Sequence, residues 1–287
     1  MQSGANAIPD KPRRRDFHLS DTEFNEICRR VKAVAGIALS ENKRELVYSR
    51  IARRLRALEL DGFADYLHML DEDDGTELVE FCNALTTNLT SFFRENHHFD
   101  YLREQVLRPR VGQAAASRRI RIWSSACSSG EEPYSIAMTV AEAIPDFARW
   151  DIKILATDID SEMVARAKAG RYPEDRVRGM ASSRLQRFFR EASDAGRSEY
   201  LVSEQIRALI TFKQLNLMQE LPIKGPLDVI FCRNVVIYFD KDTQRQLFAR
   251  FAPLQRKDQI LFLGHSESLF KVSEDWELIG KTIYRRR

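Results

Sequence analysis

Short apolar runs alternate with amphipathic helical stretches in the second half of the chain, and this alternation restricts the fold more than any other feature. The apolar runs lie at 120–125, 152–156, 210–214, 227–232 and 260–263. Between them, helical periodicity covers 131–143, 161–169 and 240–254. Continuous apolar runs are typical of strands buried on both faces, with helices covering those faces. The pattern predicts an α/β domain over 119–287, with a parallel sheet between two layers of helices.

The first half of the chain has helical periodicity without such runs. Ser20 and Glu23 form a capping box at the start of a first helix, and Leu19 and Phe24 form a hydrophobic staple around it. Three further helices are predicted at 41–60, 63–71 and 76–85. We therefore expect an all-α domain over 17–107, preceded by a flexible stretch, 1–16, and followed by a small, polar linker, 108–118.

Residues 171–210, between the second and third apolar runs, are more than a simple crossover requires. The excess predicts an inserted β-subdomain at about 171–212. Antiparallel strands are expected there at 200–202 and 206–212, together with a helix at 184–190.

Composition limits the class of partner. The chain has 44% hydrophobic and 30% charged residues, typical of a soluble globular protein, and its formal net charge of +3 is too small to indicate nucleic acid. No apolar stretch approaches the roughly 20 residues that span a bilayer, and the first residues are polar and basic. The four cysteines are scattered, which indicates neither disulfides nor zinc. We expect a cytoplasmic protein without direct membrane insertion.

Small and polar residues follow the apolar runs, where an open parallel sheet binds its ligands. After the first run comes ACSSGEEPY at 126–134, a turn that opens a helix, with Gly130 permitting close backbone approach. Acidic residues at a helix start would repel a pyrophosphate. The turn therefore favours a ligand that carries an amino group over a dinucleotide.

The next strand ends point to an adenosine. Asp158, in TDID at 157–160, can accept hydrogen bonds from ribose hydroxyls, or can instead cap the helix that follows. Asn216 and Leu217 suit an adenine ring, and RNVVIYF at 233–239 follows the fourth run. An adenosine with a positively charged sulfonium and an amino-acid tail would meet these groups in turn.

Five motifs together resemble the chemotaxis receptor glutamate methyltransferases, the CheR family. They are NLTSFFR at 88–94, SGEEPYS at 129–135, ATDID at 156–160, FCRNVVIYF at 231–239 and GHSES at 264–268. The resemblance runs in consistent order from about 17 to 284. It implies a Rossmann-like domain that binds S-adenosylmethionine, carries a small β-subdomain and follows an all-α domain. It also implies methyl transfer to glutamate side chains of methyl-accepting chemotaxis receptors, giving methyl esters and S-adenosylhomocysteine.

The resemblance also assigns site residues. It implies nine cofactor-binding residues: Asn88, Thr90, Arg94, Glu132, Asp158, Asn216, Leu217, Arg233 and Asn234. Glu132, or alternatively Glu131, would hold the methionyl amino group, and Arg94 and Tyr238 would lie nearest the transferred methyl. A glutamate carboxylate is already ionised near neutral pH, so we expect neither a general base nor a metal.

A basic stripe on the second predicted helix gives a candidate receptor contact. At 100° per residue, Lys43, Arg50, Arg53 and Arg54 share one face, which would meet an acidic receptor helix. Some family members tether themselves to a receptor's C-terminal pentapeptide through a glycine-rich turn. Here that region reads REASDAGR at 190–197, so we expect direct recognition of the methylation region instead.

The sequence also permits other functions. The α/β alternation permits a nicotinamide-dependent oxidoreductase, although the glycine loop that cradles a pyrophosphate is missing. A non-catalytic adaptor that senses the cofactor is a second alternative, against which the presence of Arg94 and Tyr238 argues. A third is a methyltransferase for a signalling system other than chemotaxis. His97 and His98 are expected on a helix surface, and His265 at a strand end is expected to support the sheet edge or contact a ligand.

Overall fold

The computed structural model describes residues 17–111, 118–194 and 197–287, so the stretch 1–16, most of the expected linker and Gly196 lie outside the described residues. The N-terminal helices are α1 (Asp21–Ala35), α2 (Arg44–Ala57), α3 (Phe63–Glu72) and α4 (Thr76–Leu85), with a 3-10 turn at Glu41–Lys43. The capping box is confirmed. Ser20 Oγ accepts from the Glu23 N–H at 3.3 Å, and Glu23 Oε2 accepts from the Ser20 N–H at 2.8 Å.

These four helices enclose one core, which includes Phe24, Val31, Ile51 and Phe81 and ends at Leu85. This core buries one apolar face of α1, with Ile27, and one apolar face of α2, with Val47 and Leu55. No buried member of this core lies beyond Leu85, so the core of the helical domain ends with α4.

The core of the helical domain thus ends well before the predicted domain boundary at 107. A continuous helical segment comprises α5 (His97–Tyr101), a π-helical stretch (Leu102–Leu107) and α6 (Arg108–Val111). Its residues Phe99, Leu102 and Leu107 are buried in the core of the sheet domain. Helical periodicity shows which face of a segment is buried but not which core receives it.

A seven-stranded sheet forms the second domain. Its strands are β1 (Arg119–Ser124), β2 (Asp151–Asp158), β6 (Ile210–Gln214), β7 (Val229–Cys232), β8 (Ile260–Leu263), β9 (Trp276–Gly280) and β10 (Ile283–Arg286). The order is β6-β2-β1-β7-β8-β10-β9. The first five strands in this order are parallel, as predicted, whereas β10 pairs antiparallel with both neighbours. The sheet is therefore mixed: the prediction missed β9 and β10, which lie at one edge and are less continuously apolar.

Helices cover both faces of the sheet, which confirms the predicted layers. Those following the first two strands are α7 (Glu131–Ala143) and α8 (Ser161–Ala169), and α12 (Lys241–Phe251) follows β7. One core contains α7 residues such as Ile136 and Val140, and the other contains α12 residues such as Leu247 and Phe251. Among the described residues, no helix combines the length and apolar content needed to cross a membrane.

The insertion is a three-stranded antiparallel sheet of order β3-β5-β4. It comprises β3 (Arg171–Pro173), α9 (Glu174–Val177), α10 (Ser182–Phe188), β4 (Phe189–Asp194), β5 (Arg197–Val202) and α11 (Glu204–Arg207). The prediction of an antiparallel strand at 206–212 is wrong. Ile206 lies in α11, and β6, which begins at Ile210, pairs in parallel with β2 of the large sheet. The insertion therefore ends before residue 210.

Candidate active site

A cavity of about 490 Å³ opens at the carboxyl ends of β6, β2, β1 and β7. These four strands are neighbours in the sheet, so the polar turns that follow them converge. The helical domain closes the cavity through two segments, 35–46 and 85–94. All of the predicted cofactor-binding residues and Tyr238 line this cavity: Asn88, Thr90, Arg94, Glu132, Asp158, Asn216, Leu217, Arg233, Asn234 and Tyr238.

Asp158 ends β2 inside this cavity and is 7% exposed. Its Oδ2 accepts from the Ser128 N–H at 2.7 Å, and its Oδ1 accepts from the Asp160 N–H at 3.0 Å. Burial raises the pKa of Asp158 to about 6, and the two N–H donors oppose that rise. The helix-cap alternative for Asp158 is excluded, because the cap of α8 is Asp160.

Glu132, at the start of α7, is the second buried carboxylate of the cavity. Its Oε1 accepts from Ser124 Oγ at 2.7 Å, and its Oε2 accepts from Arg233 Nη1 at 3.0 Å. Burial raises the pKa of Glu132, while the Arg233 guanidinium opposes that rise. The adjacent Glu131 does not line the cavity and pairs with Arg176. Glu132 therefore faces the cavity and Glu131 does not, whereas the sequence left both open as the partner of the methionyl amino group.

Asp160 ties the helical domain to the sheet domain. Its Oδ1 caps α8, and its Oδ2 accepts from Thr86 Oγ1 at 2.9 Å and from Asn88 Nδ2 at 2.7 Å. Ser128 Oγ adds a bond to the Asn88 carbonyl at 3.2 Å. Asn88 is therefore held over the cavity from two strand ends. The sequence reasoning missed Asp160, although an aspartate directly before a helical pattern is a recognisable cap signal.

Arg94 and Arg233 complete the wall on the helical side. Arg94 Nη1 donates to the Leu89 carbonyl at 2.9 Å, and the Arg94 carbonyl accepts from Arg233 Nη2. Arg233 is 4% exposed and also lies 3.4 Å from Glu95 Oε2. Its Nη atoms are thus committed to protein partners, which makes Arg233 a clamp between Glu132 and the 86–95 loop.

Asn216 also links the wall of the cavity to the helical domain. Its Nδ2 donates to the Val34 carbonyl of α1 at 2.7 Å, and its Oδ1 accepts from the Met218 N–H at 2.9 Å. Leu217 is buried beside it and belongs to the core on the α12 side. The side chain of Asn216 therefore fixes one wall of the cavity against the helical domain.

Glu267, in the GHSES motif, builds the loop that carries Tyr238. Its buried carboxylate accepts four backbone N–H groups, from Gly264, Asn234, Val235 and Ile237, at 2.6 to 3.2 Å. Asn234 has a left-handed φ of 57°, which these bonds hold in place. The sequence reasoning gave Glu267 no role, because its partners are backbone groups.

Gly130 does not face the cavity. Its φ is +101°, and a Cβ there would meet Tyr172 Oη at 2.7 Å and Ala167 Cβ at 2.9 Å. Gly130 does permit the close backbone approach that the sequence predicts, and the groups that approach are α8 and β3.

His98 and His265 lie beside Glu95, the carboxylate next to Arg233. The expected surface position is wrong for His98, which is fully buried, with Nε2 3.1 Å from the Lys281 carbonyl and its ring against Phe262. Burial and the nearby Arg233 lower the pKa of His98 to about 3. Exposed His265 contacts Glu95 Oε1 at 3.0 Å. Among the described residues, Glu95, His97 and His98 have metal-ligand spacing, but the Arg233 guanidinium beside Glu95 disfavours a cation there.

The basic stripe divides into two kinds of residue. Arg50 donates to the carbonyls of Ala84 and Thr86, and Arg54 pairs with Glu77, so both guanidinium groups are engaged within the helical domain. Lys43 and Arg53 are exposed, and Lys43 also lines the cavity. The outward charge of the stripe is therefore smaller than the sequence predicts.

The residues of the cavity fit S-adenosylmethionine. The volume lies in the range of small-molecule sites. The two buried carboxylates, Asp158 and Glu132, suit hydroxyl and ammonium groups. Apolar Ile159 and Leu217 add surface that suits an adenine ring.

Comparison with known proteins agrees with this chemistry. The family model described as "CheR methyltransferase, SAM binding domain" matches residues 88–285, and that described as "CheR methyltransferase, all-alpha domain" matches residues 22–86. The chain is 45% identical to the "Probable chemotaxis protein methyltransferase" of Rhizobium etli, over 88% of this chain and 94% of that protein. It is 43% identical to "Chemotaxis protein methyltransferase 2" of Pseudomonas aeruginosa, over 94% of each chain. It is also 43% identical to the "Chemotaxis protein methyltransferase" of Salmonella typhimurium, over 93% of this chain and 90% of that protein.

Proposed function

The chain belongs to the CheR methyltransferase family, and we propose that it transfers a methyl group from S-adenosylmethionine to glutamate side chains of methyl-accepting chemotaxis receptors. The convergence of the ten predicted residues on one cavity carries the proposal. The products would be glutamate methyl esters and S-adenosylhomocysteine.

Residues at successive strand ends would hold the cofactor. Asp158 accepts hydrogen bonds from the ribose hydroxyls, and Glu132 accepts from the methionyl ammonium. Asn216 and Leu217 flank the adenine, while Asn88 and Thr90 close over the cofactor from the helical domain. Because the Asp160 and Arg233 contacts already fix these groups, little rearrangement is needed on binding.

The proposed chemistry needs positioning more than proton transfer. The bound cofactor supplies a methyl group on a positively charged sulfur. An ionised glutamate oxygen attacks the methyl carbon in line, the carbon–sulfur bond breaks, and its electron pair stays on sulfur. An anion and a cation are both neutralised, so a site that excludes water favours the reaction. No group has to remove a proton, because the glutamate is ionised near neutral pH.

Arg94 and Tyr238 would orient the acceptor carboxylate. Both line the cavity, and each belongs to a loop with defined backbone contacts: Arg94 N–H donates to the Ser91 carbonyl, and the Tyr238 carbonyl accepts from Ala38 N–H at 2.8 Å. A guanidinium and a phenol hydroxyl can donate to the two oxygens of one carboxylate.

The receptor would approach over the helical domain. Exposed Lys43 and Arg53 give this face positive charge, which suits an acidic cytoplasmic helix of a receptor. Such contacts would recruit the cytoplasmic enzyme to receptor arrays. A pentapeptide tether stays outside the proposal, since the sequence at 190–197 contains a single glycine, Gly196.

The test combines binding and transfer in one preparation. S-adenosylmethionine and S-adenosylhomocysteine are titrated calorimetrically, and labelled methyl transfer to receptor-containing membranes is then measured. We expect binding of both and label on the receptors that alkali removes as methanol. Binding without transfer would favour a sensor or another substrate, and no binding would refute the proposal.

A further inference from the structure

Two exposed apolar side chains stand at the cavity. Among the described residues, five large hydrophobic side chains are exposed: Leu89, Val111, Ile237, Phe270 and Leu278. Leu89 is 77% exposed and Ile237 is 48% exposed, and both line the cavity. They come from different domains, one from the 85–94 segment and one from the loop after β7.

The backbone around both side chains is held firmly. The Leu89 carbonyl accepts from Arg94 Nη1 at 2.9 Å, and the preceding residue, Asn88, is bonded to Asp160 and Ser128. The Ile237 N–H donates to Glu267 Oε1 at 3.2 Å. These contacts hold in place two apolar side chains with large solvent-exposed surfaces, so a partner that buries them would gain free energy.

We propose that Leu89 and Ile237 form an apolar rim on which the receptor helix rests while its acceptor glutamate enters the cavity; this assignment rests on the proposed function. A helix is about 10 Å wide, so it cannot follow the glutamate inward. Its residues three and four positions away lie about 5–6 Å from the glutamate on the same face and must meet the rim. The rim therefore selects a glutamate flanked at these positions by small or apolar side chains.

Charge at the cavity supports this occupant. Exposed Lys43 and half-buried Arg94 line the same cavity, and Arg53 lies exposed on α2 of the same domain. An acidic helix with an apolar strip complements both the apolar rim and these cations. An uncharged apolar partner would leave the cations without an opposite charge.

The test uses Leu89→Ser and Ile237→Ser, with Leu278→Ser as matched control. Leu278 is 63% exposed on the edge strand β9 and does not line the cavity. Affinity for S-adenosylhomocysteine is measured by calorimetry, and kcat and KM are measured with receptor-containing membranes. We expect each rim variant to raise KM for the receptor about five- to tenfold, with kcat and cofactor affinity unchanged.

Three results would refute the proposed role of the rim. The first is an unchanged KM in both rim variants, and the second is an equal rise of KM in Leu278→Ser. The third is weaker S-adenosylhomocysteine binding in Leu89→Ser, which would place Leu89 against the cofactor instead. Absence of methyl transfer by the unmodified chain would refute the proposed function itself and is thereby distinguished from a failure of the rim.

Discussion

Replacing Asp158 with asparagine removes the charge of the proposed ribose-binding group and leaves its shape. The carboxylate now accepts from the N–H groups of Ser128 and Asp160, one on each oxygen. An asparagine oxygen can keep one of these bonds, while its NH₂ group would face the other N–H. The variant therefore loses a backbone bond and the charged acceptor for the ribose.

The size of the effect follows from the hydrogen bonds lost. Bonds to a charged acceptor contribute roughly 1.5–3 kcal/mol each, so weakening the two ribose bonds should cost about 2–4 kcal/mol, or about 30- to 1000-fold in affinity. Calorimetric titration with S-adenosylhomocysteine measures this loss. Asp151→Asn is the control, because Asp151 lies exposed at the opposite end of the same strand. An affinity for Asp158→Asn close to that of the control would refute the assignment.

The pH dependence gives an independent check on Asp158. Its pKa is about 6, above the ordinary value near 3.8, so the folded, cofactor-free protein binds this proton more tightly than the unfolded chain. The stability of the cofactor-free protein should therefore fall as pH rises from about 4 to about 6, by roughly 3 kcal/mol from this group. Cofactor binding needs the ionised form, so affinity should fall as pH drops below about 6. The Asp158→Asn variant should lose the Asp158 contribution to both dependences, because the raised pKa of Glu132 stays in place. A pH dependence of stability equal to that of the unmodified protein would refute the Asp158 assignment.

Four further changes test other parts of the structure. Asp160→Ala should lower the free energy of unfolding by about 1–3 kcal/mol in urea, by removing the α8 cap and the bonds to the helical domain, and should also weaken cofactor binding. Glu267→Gln should lower kcat, because an amide cannot accept four N–H groups; an unchanged kcat in steady-state assays would separate this residue from Tyr238. Arg53→Glu should raise KM for receptor membranes and spare both cofactor affinity and melting temperature. Arg54→Glu should in addition lower the melting temperature in calorimetry, because its carboxylate would face Glu77; equal melting temperatures for the two charge reversals would contradict the observed ion pair.

The central strands and their ligand-binding ends were predictable, because each strand is a continuous apolar run and strand ends in a parallel sheet converge. The strands β6 and β8 and the helices α7 and α8 have the predicted bounds. The edge strand β9 and its neighbour β10 were not found. β9 has one buried residue at its start and then alternates between partly exposed and exposed positions. Such a pattern is hard to separate from a loop.

Contacts between domains were the least predictable part. The helix that contains Phe99 and Leu107 follows the helical domain in sequence and packs in the other core, which no local pattern reveals. Burial of His98 depends on a carbonyl 183 residues away along the chain. Asp160 is recognisable as a helix cap, but its bonds to Thr86 and Asn88 are not. Glu267 acts through backbone groups, so its residue type alone does not indicate its partners.

The most direct measurement of the central claim is the position of the transferred methyl. Receptor-containing membranes are incubated with the enzyme and S-adenosylmethionine, digested, and analysed by tandem mass spectrometry before and after mild alkali. We expect methyl groups on glutamate side chains of receptor cytoplasmic helices, which alkali removes and which Asp158→Asn strongly reduces. Methylation at a nitrogen or on another residue type, stable to alkali, would refute the proposed reaction.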